Sequence, residues 1–400
     1  MVREGIDRRR RATLRAVAAG IGVLPVGRGA RSLRTDEEPE WRASMRGTVK
    51  PTGADFLVTR DDGTSYVFRR GTDDPAFGGS GSDAIQYAID AGEATGTGTA
   101  IEVAPGTYEL DRPVTLAGAT WVAGSGPATT LRAADGLNAD LLTIPSGAEH
   151  VRVSDLRIDG NRSGNERGDC LVVVGYTWRP VVEHLVVRNG AGDGVRFEGG
   201  PNGEYSYEPT LTDVDVARCA GDGFVFGYTG DLFGVNLYAE SCESYGFTMA
   251  DAGGTLIHPH AYDTRGEAGI RMIESAKDAT LVGAHSERNR RHGVLIKGDR
   301  VTLRNAFVAN NSRDDPGSYS GVVLDGAHRS RVVESALLND DDYDRTQGHG
   351  LVETSDSRDN LISFNLLHGN AAAAVDRPSR STGSTYRFNR GYRTGTCLAR

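Results

Sequence analysis

Along the second half of the chain a glycine followed by an apolar residue keeps returning. It occurs at Gly194-Val195, Gly223-Phe224, Gly246-Phe247, Gly269-Ile270, Gly293-Val294, Gly321-Val322 and Gly350-Leu351. The intervals between these glycines are 29, 23, 23, 24, 28 and 29 residues. Self-similarity at periods of roughly 20–50 residues marks solenoids, propellers and arrays. Each unit is short, rich in β-branched residues and closed by a turn, so the pattern predicts strands rather than helix pairs. With the glycine as position zero, +1 and +3 are apolar in Val195/Phe197, Phe224/Phe226, Phe247/Met249, Ile270/Met272 and Val294/Ile296. Successive strand side chains point to opposite faces, so these predict the core and +2 and +4 predict a solvent face. That face would carry Arg196, Glu198, Val225, Thr248, Arg271, Leu295, Lys297, Val323 and Asp325. Position −1, at the strand entrance, holds Asp193, Asp222, Tyr245, Ala268, His292, Ser320 and His349.

Upstream, Phe56-Leu57-Val58-Thr59 and Tyr66-Val67-Phe68 flank Asp61-Asp62-Gly63, a hairpin signal. Residues 82–91 predict a helix with Ser82 as N-cap, Ile85, Ala88 and Ile89 on one face, and Gly92 at its end. The strand Ile101-Glu102-Val103 and then Pro105-Gly106-Thr107-Tyr108 follow. This helix, strand and Pro-Gly-Thr-Tyr series, continued by a turn at Gly124-Ser125-Gly126, resembles the opening of the pectate-lyase-like superfamily. The resemblance covers roughly residues 53–390 and implies an all-β fold, a right-handed parallel β-helix. The repeat gives about ten coils, and the helix can cover the apolar end of the first one. For function the resemblance is broad, since the superfamily includes lyases, hydrolases, epimerases, phage tailspikes and non-catalytic surface proteins.

Residues 1–34 read as an export signal. Arg10-Arg11-Ala12-Thr13-Leu14-Arg15 resembles the twin-arginine motif, and the apolar run from Ala16 to Val26 is too short to span a bilayer. Residues 35–52 read as linker and 53–400 as the β-helix domain, which predicts a secreted or cell-surface protein. Nine arginines against Glu4 and Asp7 give residues 1–34 a net +7. Subtracting that from the chain's −9 leaves −16 for residues 35–400. So acidic a domain argues against nucleic acid as the partner. None of the four cysteines has zinc-type spacing. Cys219 and Cys242, each four residues before a ladder glycine, belong on neighbouring coils, as stacked thiols or a disulfide. Asn189, Asn289, Asn310 and Asn339 recur near one turn and predict an asparagine ladder along the axis.

A polar strip running across coils suits a linear polysaccharide. Chemistry on a uronate needs cations to neutralise carboxylates and an acid or base near the ring. Tyr245, Arg271, His292 and Lys297 lie on successive coils and supply those types, with Asp222 and Glu198 as carboxylates. They are the candidate catalytic residues; Arg196 and Asp325 on the same face are candidate substrate contacts. Tyr238, His260 and His285 recur at 22- and 25-residue intervals and predict an aromatic stack on another face, able to bind sugar rings or simply to stabilise the sheet. His258 and His260, with His285 one coil on, also offer a cation-binding trio. The acidic turn with Asp340, Asp342 and Asp344 is oxygen-rich, as Ca²⁺ requires; the alternative is a solvated charge run. Tyr245-Gly246-Phe247 resembles the Tyr-Gly-Phe of alginate C5-epimerases. Thr248-Met249-Ala250 stands here in place of their Asp-Pro-His, so the correspondence stops at Tyr245. The leading reading is an exported lyase, hydrolase or epimerase of an acidic or complex glycan. The competing one is a non-catalytic, carbohydrate-binding β-helix. Oligomeric state stays open, with a homotrimer implied only by the tailspike resemblance.

Overall fold

A computed structural model describes residues 53–340, 343–378 and 382–391. The expected signal segment, the linker and Asp342 lie outside the described residues. The chain opens with Phe56–Asp61 and Thr64–Arg69, paired antiparallel as the Asp-Asp-Gly turn predicts. A third strand, Pro75–Gly79, extends this ribbon. From Thr99 onward the pairing is parallel, and the first strand itself pairs parallel with Thr99–Val103.

Helix α1 (Gly81–Glu93) buries Ile85, Ala88 and Ile89, as its periodicity requires. Its cap differs from expectation. Ser80, not Ser82, is the N-cap and accepts from the Asp83 N–H at 3.2 Å. Ser82 is instead fully buried, donating to Asp111 Oδ1 at 2.7 Å and accepting the Asp111 N–H at 2.9 Å. It joins the helix to the coil beneath it. The helix also runs one residue past Gly92.

Each later coil contributes to three stacked sheets. The first carries the glycine ladder and runs from Val114–Thr115 through Leu142–Ile144, Leu171–Val174 and Val195–Glu198 to Ala373–Asp376. The second runs from Thr99–Val103 through Arg152–Ser154 to Thr385–Arg387. The third runs from Gly106–Leu110 through Arg157–Asp159, His260–Tyr262 and His285–Glu287 to Ala336–Leu338. The corner between the second and third sheets is one residue in the left-handed region, for example Asp155, His184, Asp213, Asn236 and His258. Gly283 takes that corner after His258, where a Cβ would come within 2.5 Å of the His258 ring.

The core is apolar and continuous, including Phe197, Phe224, Phe226, Phe247, Ile270 and Val294. Phe224 and Phe247 stack at 4.9 Å between adjacent coils. Cys170, Cys219 and Cys242 are buried free thiols, so the stacked-thiol alternative holds. The polar ladder is real but shifted: Asn289 donates to Asn311, Asn311 to Gln347 and Gln347 to Asn370, at 2.9–3.0 Å. Asn311 therefore continues it, while Asn189 and Asn310 sit in left-handed corners. The predicted solvent face also needs correction. Leu295 is only 2% exposed and Val323 7%, although both point away from the core. With Ala268, and with Tyr245 and Val352 packed against them, they form an external apolar stripe. Parallel in-register stacking puts like positions about 4.8 Å apart, so each side chain shields the next.

Candidate functional site

The strand-entrance column of the first sheet is the most organised polar feature of the molecule. Register places Asp140, Asp169, Asp193, Asp222 and Tyr245 one above another. One oxygen of each aspartate accepts the backbone N–H of the next rung: Asp140 from Asp169 at 2.8 Å, Asp169 from Asp193 at 2.6 Å, Asp193 from Asp222 at 2.7 Å and Asp222 from Tyr245 at 3.0 Å. The column thus satisfies turn amides at the strand entrance and leaves one oxygen per carboxylate for other work.

That stacking brings like charges together in a poorly solvated place. The side chains of Asp169 and Asp193 are only 14% and 13% exposed. Burial, then the neighbouring Asp169 and Asp222, push Asp193 up to about 7, against the opposing pull of the Asp222 N–H and Arg196. Burial also raises Asp169 above the usual carboxylate range. Arg196 bridges the cluster. Its guanidinium lies 3.4 Å from Asp193 Oδ2, 3.9 Å from Asp169 Oδ2 and 3.1 Å from Glu198 Oε2. Burial pulls Arg196 down, but these three carboxylates outweigh it and hold its pKa above the ordinary value. Glu198, at 40% exposed, is the open carboxylate of the group.

One rung further the cluster meets Tyr245 and Arg271. The Arg271 guanidinium stacks 3.7 Å from the Tyr245 ring centroid and donates to Thr248 Oγ1 at 3.3 Å. Thr248 in turn donates to Asp222 Oδ2 at 2.5 Å. Asp193, Arg196, Glu198, Asp222, Thr248, Tyr245 and Arg271 are therefore one connected constellation. Five of these are sequence candidates; Asp193 was read only as a strand-entrance residue and Thr248 only as an outward one. Asp140 and Asp169 escape the glycine ladder because Leu141 and Cys170 replace its glycine. An aspartate two residues before each apolar strand start would have found them.

His292 and Lys297 lie apart from this group. His292 occupies the same column, and its Nδ1 accepts the Ser320 N–H at 2.9 Å. Burial lowers its pKa, and Tyr319 packs edge-on at 5.1 Å. It is a neutral imidazole whose remaining nitrogen can only donate. Lys297 is ion-paired with Asp325 at 3.3 Å and Glu274 at 3.4 Å. Burial opposes its charge, yet the two carboxylates hold its pKa above the ordinary lysine value. Asp325 is thereby committed to Lys297. The aromatic stack forms on the third sheet: Tyr238 to His260 at 4.7 Å, His260 to His285 at 5.3 Å, and His285 to Phe307 at 5.7 Å. Asp340 and Asp344 hold their loop through backbone carbonyls, which accept from Asn310 Nδ2. Neither belongs to a group of three convergent metal-ligand side chains among the described residues.

A cavity of about 580 Å³ opens along another edge of the solenoid. Arg132, Arg162, Arg218 and Arg265 line it, against Asp159 and Glu243. None of the sequence candidates lines it, and Glu243 on its wall is ion-paired with Arg162 and Arg265, so the chemistry is better placed at the carboxylate column. The two are nevertheless linked. Asn189 lines the cavity, and Asp193 stands four residues on, at most about 14 Å away by chain reach.

No protein-family profile matches this chain, and no curated protein matches it. Solved structures do. The A-module of the mannuronan C-5 epimerase AlgE4 from Azotobacter vinelandii superposes with a TM-score of 0.68 at 20% identity, covering 78% of this chain and 91% of that one. The chain has the right-handed parallel β-helix fold. The enzymatically active domain of tailspike protein 2 from bacteriophage CBA120 matches at TM-score 0.62 and 11% identity, over 83% of this chain and 54% of that one. An exopolygalacturonase from Thermotoga maritima matches at 0.52 and 10% identity, over 76% and 90%. At such identities the likeness carries the architecture, and function has to be argued from the site. Among the described residues no helix is long and apolar enough to cross a membrane.

Proposed function

We propose that this β-helix is a polysaccharide-active enzyme that cleaves an anionic glycan by acid/base chemistry at Asp193, Glu198 and Asp222. The observation that carries the reading is the stacked carboxylate column, whose burial and like charges push Asp193 up to about 7, with the exposed Glu198 beside it paired to Arg196. A buried carboxyl group beside an exposed one offers an acid and a base. Asp193 Oδ2 is the general acid for the leaving glycosidic oxygen. Glu198 is the carboxylate that activates water. One guanidinium bridges the two, which keeps their facing oxygens within roughly 9 Å, a bound that covers both the close and the wide carboxyl spacings glycosidases use. Arg196 and Arg271 supply the positive charge that an anionic sugar needs, and the arginine-lined cavity beyond Asn189 extends the binding track. The likeness to the mannuronan epimerases, the tailspike domain and the exopolygalacturonase supports a glycan as substrate. The twin-arginine-like leader supports export to where such polymers are met.

The stacking of Arg271 on Tyr245 favours a second reading, in which Tyr245 works on a uronate whose carboxylate Arg271 neutralises. That chemistry would be elimination or C5 epimerisation. A panel of polyuronates and neutral glycans separates them. Hydrolysis yields new reducing ends without an unsaturated chromophore, elimination yields both, and epimerisation changes the sugar with neither. We expect reducing ends without the chromophore, lost in Asp193→Asn. Binding without any product on all glycans would make the protein a carbohydrate-binding β-helix and overturn the enzymatic reading.

A further inference from the structure

On the third sheet, away from the carboxylate column, three side chains converge that the proposed chemistry does not use. Strand His260–Tyr262 lies beside His285–Glu287, with His260 opposite His285 and Tyr262 opposite Glu287. His285 and Glu287 are two apart in one strand and share a face. His260 reaches diagonally across, so that its Nε2 is 3.0 Å from Glu287 Oε1. One ligand atom from each of His260, His285 and Glu287 falls within 4.8 Å of the others. We propose that these three residues bind a divalent transition-metal ion of the zinc type.

The donor set is two imidazole nitrogens and one carboxylate oxygen, which suits Zn²⁺ and leaves a fourth position open. Ligands about 2.0–2.1 Å from a tetrahedral ion are roughly 3.3 Å from one another. The His260–Glu287 gap therefore needs to open only slightly, and the other separations to close. The ligands sit on adjacent strands of a rigid stack, where their backbones are fixed by parallel pairing on both sides. Rings are held in place as well: Tyr238 packs edge-on against His260 at 4.7 Å, and Phe307 lies 5.7 Å from His285. His285 is exposed, so the open position faces solvent. His258, the third histidine of the sequence trio, is excluded because it occupies the left-handed corner and packs over Gly283. Glu287 takes its place. A second cluster, Asp155, Glu183 and His184, is less suited. There both imidazole nitrogens of His184 already face carboxylates, Asp155 at 3.2 Å and Asp213 at 3.7 Å, and Glu183 is held by Arg152.

The test is titration of the chelator-stripped full chain with Zn²⁺ by calorimetry, and with Co²⁺ by visible absorption. The expected result is one saturable ion per chain, a tetrahedral-type cobalt spectrum and a higher melting temperature with Zn²⁺. His285→Ala and the size-preserving Glu287→Gln should each weaken uptake by more than the roughly tenfold to hundredfold that losing a merely supporting group costs. His184→Ala should leave it unchanged. Should His285→Ala prove unstable, Glu287→Gln alone decides. No saturable uptake by the folded wild-type chain, uptake unaffected by Glu287→Gln, or uptake abolished by His184→Ala would each overturn the site.

Discussion

The first sheet presents two different outer faces built on one backbone plan. In the rungs from Asp140 to Asp222 the strand entrance is a carboxylate column, capped by Arg196 and flanked by Glu198. In the rungs from Ala268 to Val352 the entrance holds Ala268, His292 and Ser320, and the outward positions Leu295 and Val323 close into an apolar stripe. Tyr245 is the boundary, taking Asp222's oxygen on its N–H and Arg271 on its ring, and packing against the stripe. In the first half each aspartate accepts the next rung's amide, and in the other His292 does the same for Ser320 while Ala268 has no side-chain acceptor to offer. What differs is the charge left over. Stacked carboxylates must share protons or cations, and that surplus is what chemistry can use; the entrance residues Ala268, His292 and Ser320 bring no such stack.

Substitutions can break or sharpen this contrast. Asp193→Asn keeps the amide acceptor and removes the acid, so turnover should fall by about 10²–10⁴-fold while circular dichroism stays native. Placing an acid in the other half should have the opposite character. Leu295→Asp puts a carboxylate into the apolar stripe, offset in part by Arg271 on the adjacent rung, and should still destabilise by about 1–3 kcal/mol in urea unfolding. Val225→Asp, half-buried beside Arg196, should stay within about 1 kcal/mol of wild type. His292→Ala leaves the buried Ser320 N–H without an acceptor and should cost about 1–3 kcal/mol, with kcat unchanged per folded molecule. His292→Asn should recover most of that. At the boundary, Arg271→Ala loses a stacked cation and one hydrogen bond, worth about 1 kcal/mol of stability, and should raise KM on an anionic glycan.

The repeat was legible because seven ladder glycines keep the same place in each coil, where the next coil passes too close for a side chain. At Gly293, a Cβ would lie 2.4 Å from Val308 and 2.6 Å from the Gly321 carbonyl. Steric demand of that kind writes itself into sequence. The inward apolar positions were equally readable. Leu295 and Val323 depart from the expected solvent face because alternation tells which side of the sheet a residue faces, not whether stacked neighbours cover it there. Asp140 and Asp169 were invisible to a ladder search because Leu141 and Cys170 fill the glycine position. Sequence alone does not separate Ser80 from Ser82 as the cap; the N-cap bond of Ser80 and the tertiary bond of Ser82 to Asp111 do. His292 and Lys297 were chosen for residue type, and what type alone cannot reveal is that Ser320, Asp325 and Glu274 already engage them.

The proton on Asp193 is the point on which the account turns. With its folded pKa raised from 3.8 to about 7, the native state binds that proton more tightly than the unfolded chain. The group's contribution is most favourable below about pH 4 and is lost as pH rises through 7, so Asp193→Asn should gain stability relative to wild type at pH 8 and not at pH 4. The direct measurement is a carboxyl-carbon NMR titration of aspartate-labelled protein, with the Asp193 resonance assigned by its absence in Asp193→Asn. A midpoint near 7 is the predicted result, and a midpoint near 4 would contradict it and leave the column as backbone scaffolding.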